Sequence, residues 1–483
     1  MSASIPSQVT TVMGSRSHWR AFIVLCLGAF MIMIDGFIVN IALPSIKADL
    51  AFSDVSLVWV VNAYLITYSG SLLIGGRMGD LFGYRRMFLL GITLFTAASA
   101  VCGLAGSRAL LIGARALQGL GGALVAPVAL SLTVSLFPEA AERAKAMGVY
   151  GFVNACAGIL GLVLGGTLTG VLNWHWIFLI NLPLGVAVYA LCVRSLPDSS
   201  GLAASTRLDI PGATAITAAS MLAIYAIVNA NDAGWRSLQT VSLLSAAITG
   251  LIVFFHIEAR VREPLVPLNL FRRRNLTVAS IIFTLWVLAT SAWFFVSVLY
   301  LQVVLGYRPE QVGLAFVPSA VVAATLSLGI SAKLVVRFGI KRPLVMGLLV
   351  ASTGLALFTR APLHGSMAFD AIPPMILVGL GGGTALNPLF LAALNDASPS
   401  ESGLVSGMLN TAGMMGGALG LAILVSAASA RTHNLLTLGA SLPVALNSGY
   451  HLAFALAAAF LAIAPVIGVA FLRPRTSRPD FGR

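Results

Sequence analysis

The sequence predicts an all-α polytopic membrane protein of fourteen transmembrane helices, built as two six-helix pseudo-repeat halves with a two-helix insert between them. Three observations predict it. Of 483 residues, 58% are hydrophobic and only 9% are charged, with a mean hydropathy of +0.95, whereas soluble domains carry roughly 25% charged residues. Apolar windows of about 20 residues, enough to cross a bilayer, recur along the whole chain. Basic residues, finally, gather on alternate loops.

Taken in order, the windows lie near 20–43, 55–76, 87–106, 109–136, 146–170, 177–193, 212–231 and 240–257, then 276–303, 311–332, 343–360, 371–394, 404–429 and 450–472. With the N-terminus placed inside, twenty-two of the 29 Lys and Arg fall on the cytoplasmic side. Only Lys47, Arg108, Arg236, Arg308, Arg360 and Arg431 fall outside, and Arg115 lies within a span. One missed or invented span would invert every later loop, so the asymmetry supports the count and the orientation together. Both termini are expected in the cytoplasm, and the plasma membrane is the expected location. The net charge of +13 belongs to one membrane face and gives no reason to expect nucleic acid. The first fifteen residues are polar and the apolar run after them outlasts a signal-peptide core, so no cleaved leader is expected. The four cysteines (Cys26, Cys102, Cys156, Cys192) lie in apolar spans without ligand spacing, and the six histidines are scattered. No metal site or cofactor is expected.

A weak duplication runs through the chain. GRMGDLFGYRR (Gly76 to Arg86) follows the second window and AKLVVRFGIKR (Ala332 to Arg342) the tenth, with Gly83 and Gly339 offset by 256. GLGGALVAP from Gly119 echoes GLGGGTALNP from Gly379, an offset of 260, and ERAKAMG echoes ESGLVSG with Gly148 and Gly407 offset by 259. Both Gly-x-basic-basic turns lie inside, so the period contains an even number of crossings. Of the eight between them, six belong to the repeat and two are extra. The expected units are residues 1–194, a linker with the two extra helices at 195–275, and 276–483.

The run FMIMIDGFIVNIALP puts Asp35 into hydrocarbon, where an ion costs on the order of 3 kcal/mol or more. A carboxyl in low dielectric can take and release a proton; the alternative is a permanently neutral acid in a packing hydrogen bond. Arg115 needs a partner at that depth, and Asp35 is the obvious one unless the arginine snorkels outward. Gly76, Gly79 and Gly83, with Asp80, Arg85 and Arg86, suit a tight turn where helices approach closely; Asp80 either caps the next helix or forms a gating ion pair. Gly161, Gly165 and Gly166, and the run Gly413 to Gly420, suit close contact between halves that slide. Trp174 and Trp176 suit interface anchors. Asn40, Tyr64, Tyr68, Gln118, Asn154, Trp293, Phe294 and Tyr300 are candidates for a central cavity, with core or lipid packing as the alternative.

These motifs resemble the major facilitator superfamily, and within it the fourteen-span drug:proton antiporter family. The resemblance covers nearly the whole chain. GRMGDLFGYRR is similar to the loop motif G-x-L-x-D-R-x-G-R-R, LLIGARALQGLGGA to the span-four motif through Arg115, Gln118 and Gly119, and MIDGFIVNIALP to the span-one motif through Asp35, Asn40 and Pro44. WHWIFLINLPLG resembles W-R-W-I-F-x-I-N-x-P, with His175 in place of arginine, and LQVVLGYRPEQVGLAFVP resembles the ninth-span pattern. In the span-five motif G-P-x-x-G-G, Leu162 stands in place of proline, which keeps symport open beside antiport.

The resemblance implies a monomeric, proton-gradient-driven exporter of small hydrophobic, drug-like or antibiotic molecules working by alternating access, with proton coupling at Asp35 and Arg115. So few embedded acids favour neutral, zwitterionic or singly cationic substrates. A proton-coupled metabolite symporter is the alternative. An intramembrane enzyme is the more distant one, since no serine–histidine, paired-aspartate or metal constellation stands at a plausible depth.

Overall fold

The computed structural model describes residues 15–137, 139–196, 210–261, 273–394 and 402–472. All of the secondary structure described is helical. The chain runs through α1 (Ser15–Asp49), α2 (Asp54–Phe82), α3 (Tyr84–Gly103), α4 (Arg108–Leu136), α5 (Ala140–Val171), a single turn α6 (Trp176–Leu179) and α7 (Asn181–Ser195). After α8 (Ile210–Ala233) and α9 (Leu238–Arg260) follow α10 (Arg274–Leu299), α11 (Pro309–Thr325), α12 (Ser331–Phe338), α13 (Lys341–Leu357), α14 (Ile372–Leu394), α15 (Ser402–Thr437) and α16 (Leu442–Phe471). Helix is the expected solution for segments this apolar, because lipid offers the backbone no hydrogen bonds and a helix satisfies its own.

Eleven helices among the described residues are long and apolar enough to cross a membrane, and two shorter apolar helices cover 156–171 and 214–230. The chain is therefore a multi-pass membrane protein. The helices do not follow the sequence windows one for one. The window at 177–193 divides into α6 and α7, and the window at 311–332 runs from α11 through a π-turn at Leu326–Ile330 into α12.

Helix ends carry local chemistry. The Ser53 hydroxyl accepts from Ser56 N in a capping box, and the Ser107 and Ser237 hydroxyls accept from Leu110 N and Thr240 N, satisfying first-turn donors that lack helical partners. Gly83 and Gly339 close α2 and α12 at φ +93° and +77°, a region where a side chain is strained. Pairing of these two turns is one echo of the duplication. Another is that Gly91 of α3 packs on the Gly121 carbonyl of α4 as Gly347 of α13 packs on the Gly381 carbonyl of α14.

Helices α1–α7 pack among themselves, with α2 and α3 on α4 and α1 on α5 and α7. Helices α10–α16 form a second set, with α10 between α15 and α16 and α14 against α11 and α13. The sets meet where α5 faces α11, α2 faces α15 and α1 faces α10. Call the near end the one holding Ser15 and the Gly83 turn. Contacts between the sets are found toward the far end: the Gln302 amide donates to Ile41 O at 2.8 Å, and the Asn62 amide to Ala418 O at 3.1 Å. There too a Cβ on Gly166 would stand 2.6 Å from Pro309 O. The pair α8–α9 lies outside both sets, with α8 against α2 and α15.

Two expectations about packing need correction. The run Gly413 to Gly420 does not join the two sets: Gly413, Gly416 and Gly420 face Phe283, Thr284 and Leu288 of α10, inside the second set. Trp174 is no interface anchor; it is 3% exposed and its indole donates to Asp49 Oδ2 at 2.9 Å. Gly79 meets α4 closely, as the sequence suggests, and Gly76 faces α4 at longer range. Its Cβ would lie 3.4 Å from Pro127, whereas Gly75 abuts the Ala123 carbonyl and Gly79 would meet Val128 at 2.9 Å.

Candidate functional site

Helices α1, α3, α4 and α7 each send a polar side chain to one point inside the first set. Asp35 comes from α1, Ser99 from α3, Arg115 and Gln118 from α4, and Asn181 from the first residue of α7. All five are buried, Asp35 at 0% and Arg115 at 1% exposure. Arg115 and Gln118 stand three residues apart, so α4 presents both on one face.

The geometry accounts for the carboxylate on both oxygens. Arg115 Nη1 donates to Asp35 Oδ2 at 2.6 Å, while the amides of Gln118 and Asn181 donate to Oδ1 at 2.8 and 3.0 Å. Three donors converging on one carboxyl suit the ionised form, which only accepts. Arg115 is equally committed: Nη1 also reaches Gln118 Oε1 at 2.6 Å, and Nε donates to Val60 O at 3.0 Å. Its guanidinium lies over the Tyr64 ring at 4.4 Å and near Phe178 at 5.7 Å. Ser99 Oγ accepts from Gln118 and Asn181 at 2.6 and 3.2 Å. Arg115 thus does not snorkel outward.

This arrangement is a charge-neutral pair closed off from water. Removing either partner strands a buried charge, which costs about 3–5 kcal/mol. A proton arriving on Asp35 has the same effect, since it cancels one charge and turns an acceptor into a donor.

The remaining candidates scatter. Tyr64 and Tyr68 are buried and stacked at 5.6 Å, with Tyr64 against the arginine. The half-exposed Asn40 donates to Gly36 O at 2.8 Å on its own helix. Trp293 and Tyr300 correct the cavity expectation: Trp293 packs among Phe294, Phe316 and Phe358, and Tyr300 is fully buried with its hydroxyl donating to Pro362 O at 2.7 Å. Aromatic rings at these positions satisfy core packing instead of lining open space. Asp80 ends α2 and Asn154 lies in α5, but their side chains fall outside the described residues. Arg85 donates to Val193 O at 2.8 Å and Arg86 is exposed. Gly161 and Gly165 face the Ile34 and Ile38 carbonyls of α1, whereas Gly166 faces α11. Glu258 is buried in the last turn of α9.

Sequence reasoning missed Ser99 and Asn181 as members of the site. Asn181 carried a signal, an amide inside an apolar run; Ser99 carried none, because serine is ordinary in membrane helices. Among the described residues no three His, Cys, Asp or Glu side chains assemble as a metal would require.

A profile of the Major Facilitator Superfamily matches residues 25–421. The chain is 35% identical to the puromycin resistance protein pur8 of Streptomyces alboniger, over 96% of this chain and 93% of that one. It is 33% identical to the cephamycin export protein CmcT of Amycolatopsis lactamdurans, over 95% and 94%, and 36% identical to the lincomycin resistance protein of Streptomyces lincolnensis, over 85% of each. Among solved structures it superposes on a bacterial homolog of the human lysosomal transporter Spinster with a TM-score of 0.70 at 17% identity, over 96% of this chain and all of that one. That likeness extends to the fold.

Proposed function

The chain belongs to the Major Facilitator Superfamily, and on that premise we propose that it exports small hydrophobic, drug-like or antibiotic molecules in exchange for protons. Export is supported by its relatives, which are named for puromycin and lincomycin resistance and cephamycin export. The observation that carries proton coupling is the sealed pair of Asp35 and Arg115 at 2.6 Å.

In this reading the chain crosses the plasma membrane fourteen times, with both termini in the cytoplasm, as the loop charges indicate. Residues 1–194 and 276–483 form two halves, and 195–275 carry the two extra helices. With the halves joined at the far end and the pair intact, this arrangement is taken as the inward-facing, proton-free state. Substrate binds from inside. In the outward-facing state water reaches Asp35, a proton neutralises it, and Arg115 trades the carboxylate for water and the Gln118 and Val60 oxygens. Substrate leaves, the protonated carrier returns, and re-forming the pair expels the proton inward. Each proton supplies roughly 2.3 kcal/mol per 100 mV and about 1.4 kcal/mol per pH unit. The gradient is the energy source, so the cycle needs no cofactor, and a monomer contains every residue it uses.

The test is efflux from proteoliposomes under an imposed pH gradient, comparing the native protein with Asp35→Asn. The variant should lose gradient-driven accumulation while still allowing substrate exchange. A variant that pumps like the native protein refutes the coupling. Transport direction in inverted vesicles separates this reading from import by symport, which Leu162 in the span-five motif leaves as the second reading.

A further inference from the structure

Helix α1 has two faces of different chemistry. Asp35 is sealed with Ile34, Ile38 and Val39 around it, all at 2% exposure or less. Met33, Gly36 and Asn40 are half-buried and Phe37 is 38% exposed. These four follow the spacing of one helical stripe. Through Phe37 the stripe turns toward α5 and α10. Phe37 lies 3.5 Å from where a Cβ on Gly158 of α5 would stand and meets Phe294 of α10 edge-on at 6.5 Å.

Gly36 is the anomaly on that stripe. A Cβ built there would meet no atom within 4 Å, while Gly28, Gly161 and Gly165 on or against the same helix would each meet one at 3.0 Å or closer. A mid-helix glycine costs about 1 kcal/mol relative to alanine, and here no close helix approach offsets it. Beside this open space stands Asn40, whose NH2 gives one of its two hydrogens to Gly36 O and whose Oδ1 is an acceptor.

We propose that the exported molecule binds on the Met33–Gly36–Phe37–Asn40 face of α1, about 150° around the helix from Asp35 at roughly 100° per residue, so that substrate and proton are coupled through the helix and not by contact. The face dictates the ligand's chemistry. Two aromatic rings and a thioether take an aromatic body, and the rings accommodate one positive charge over their faces. The Asn40 oxygen takes an N–H or ammonium donor. No charged side chain stands on this face. The ligand class is therefore an aromatic molecule, neutral or singly cationic, carrying a hydrogen-bond donor, with Gly36 setting how thick it can be. This rests on the exporter reading.

The experiment is N-ethylmaleimide labelling of the full-length protein in proteoliposomes, read site by site by peptide mass spectrometry, with puromycin and ethidium as probes. Gly36→Cys and Asn40→Cys should label, and Val39→Cys should not. Either probe should slow labelling at position 36 by tenfold or more, and should do so equally when Asp35→Asn is added. Gly36→Leu should weaken probe binding by tenfold or more with an unchanged melting temperature. The proposal is overturned if Gly36→Cys stays unlabelled, if neither probe protects it, or if Asp35→Asn abolishes protection. Native protein that exports neither probe overturns the exporter reading as well, whereas export with an unlabelled position 36 overturns only this inference.

Discussion

Asp35 and Arg115 stabilise each other only as a pair, and that gives the site its first quantitative signature. Arg115→Ala strands a carboxylate among apolar residues and should cost about 3–5 kcal/mol, read as a lowered melting temperature in detergent. The double change Asp35→Asn with Arg115→Leu should recover much of that loss, because two buried charges vanish together, yet remain dead in gradient-driven efflux. Asn181→Leu removes one donor from Asp35 Oδ1 and should cost about 1–3 kcal/mol; an unchanged melting temperature would mean its amide does not hold the carboxylate. The two charges could be read from sequence, since a charge in a hydrocarbon run demands an explanation and a buried cation demands an acid beside it. Ser99 and Asn181 could not be ranked that way. Neutral polar residues occur throughout such helices, and what distinguishes these two is a convergence of α3 and α7 on Asp35 that only the packed bundle supplies.

Helix contacts here are made by glycines, and their partners decide what each one tolerates. Gly165→Val would drive a branched side chain into Ile38 O, already 2.7 Å from the Cβ position, and should destabilise by about 1–3 kcal/mol. Gly76→Ala, with Pro127 at 3.4 Å, should be close to neutral by the same melting assay. A reversed order would show that α5 and α1 do not pack as described. The motif pointed to the right segment of α2 and to Gly79 but not to Gly75, because sequence spacing does not say which glycine comes closest to α4. Helix existence was readable from apolar length. The breaks were not: the π-turn at Leu326–Ile330 and the split between α6 and α7 are set by tertiary packing and leave no composition signature.

The two sets of helices must separate at the far end if the protein is to open there. Gln302, just beyond α10, reaches Ile41 O of α1 across this seam at 2.8 Å, so Ile41→Cys with Gln302→Cys should be bridged by a short reducible bis-methanethiosulfonate reagent. Transport should stop when the bridge forms and return on reduction; transport that survives the bridge would mean that this seam stays shut throughout the cycle. Duplication was visible in the sequence at three offsets, whereas the seat of α8 across α2 and α15 was not, because α8 lies outside the repeated stretches. Infrared difference spectroscopy of the protonated carboxyl stretch tests the central claim most directly, comparing protein held closed at the far end by that bridge with protein released from it in acid. The account predicts a band on release that is missing in the closed state and missing altogether from Asp35→Asn. An Asp35 band of equal strength in both states would contradict it.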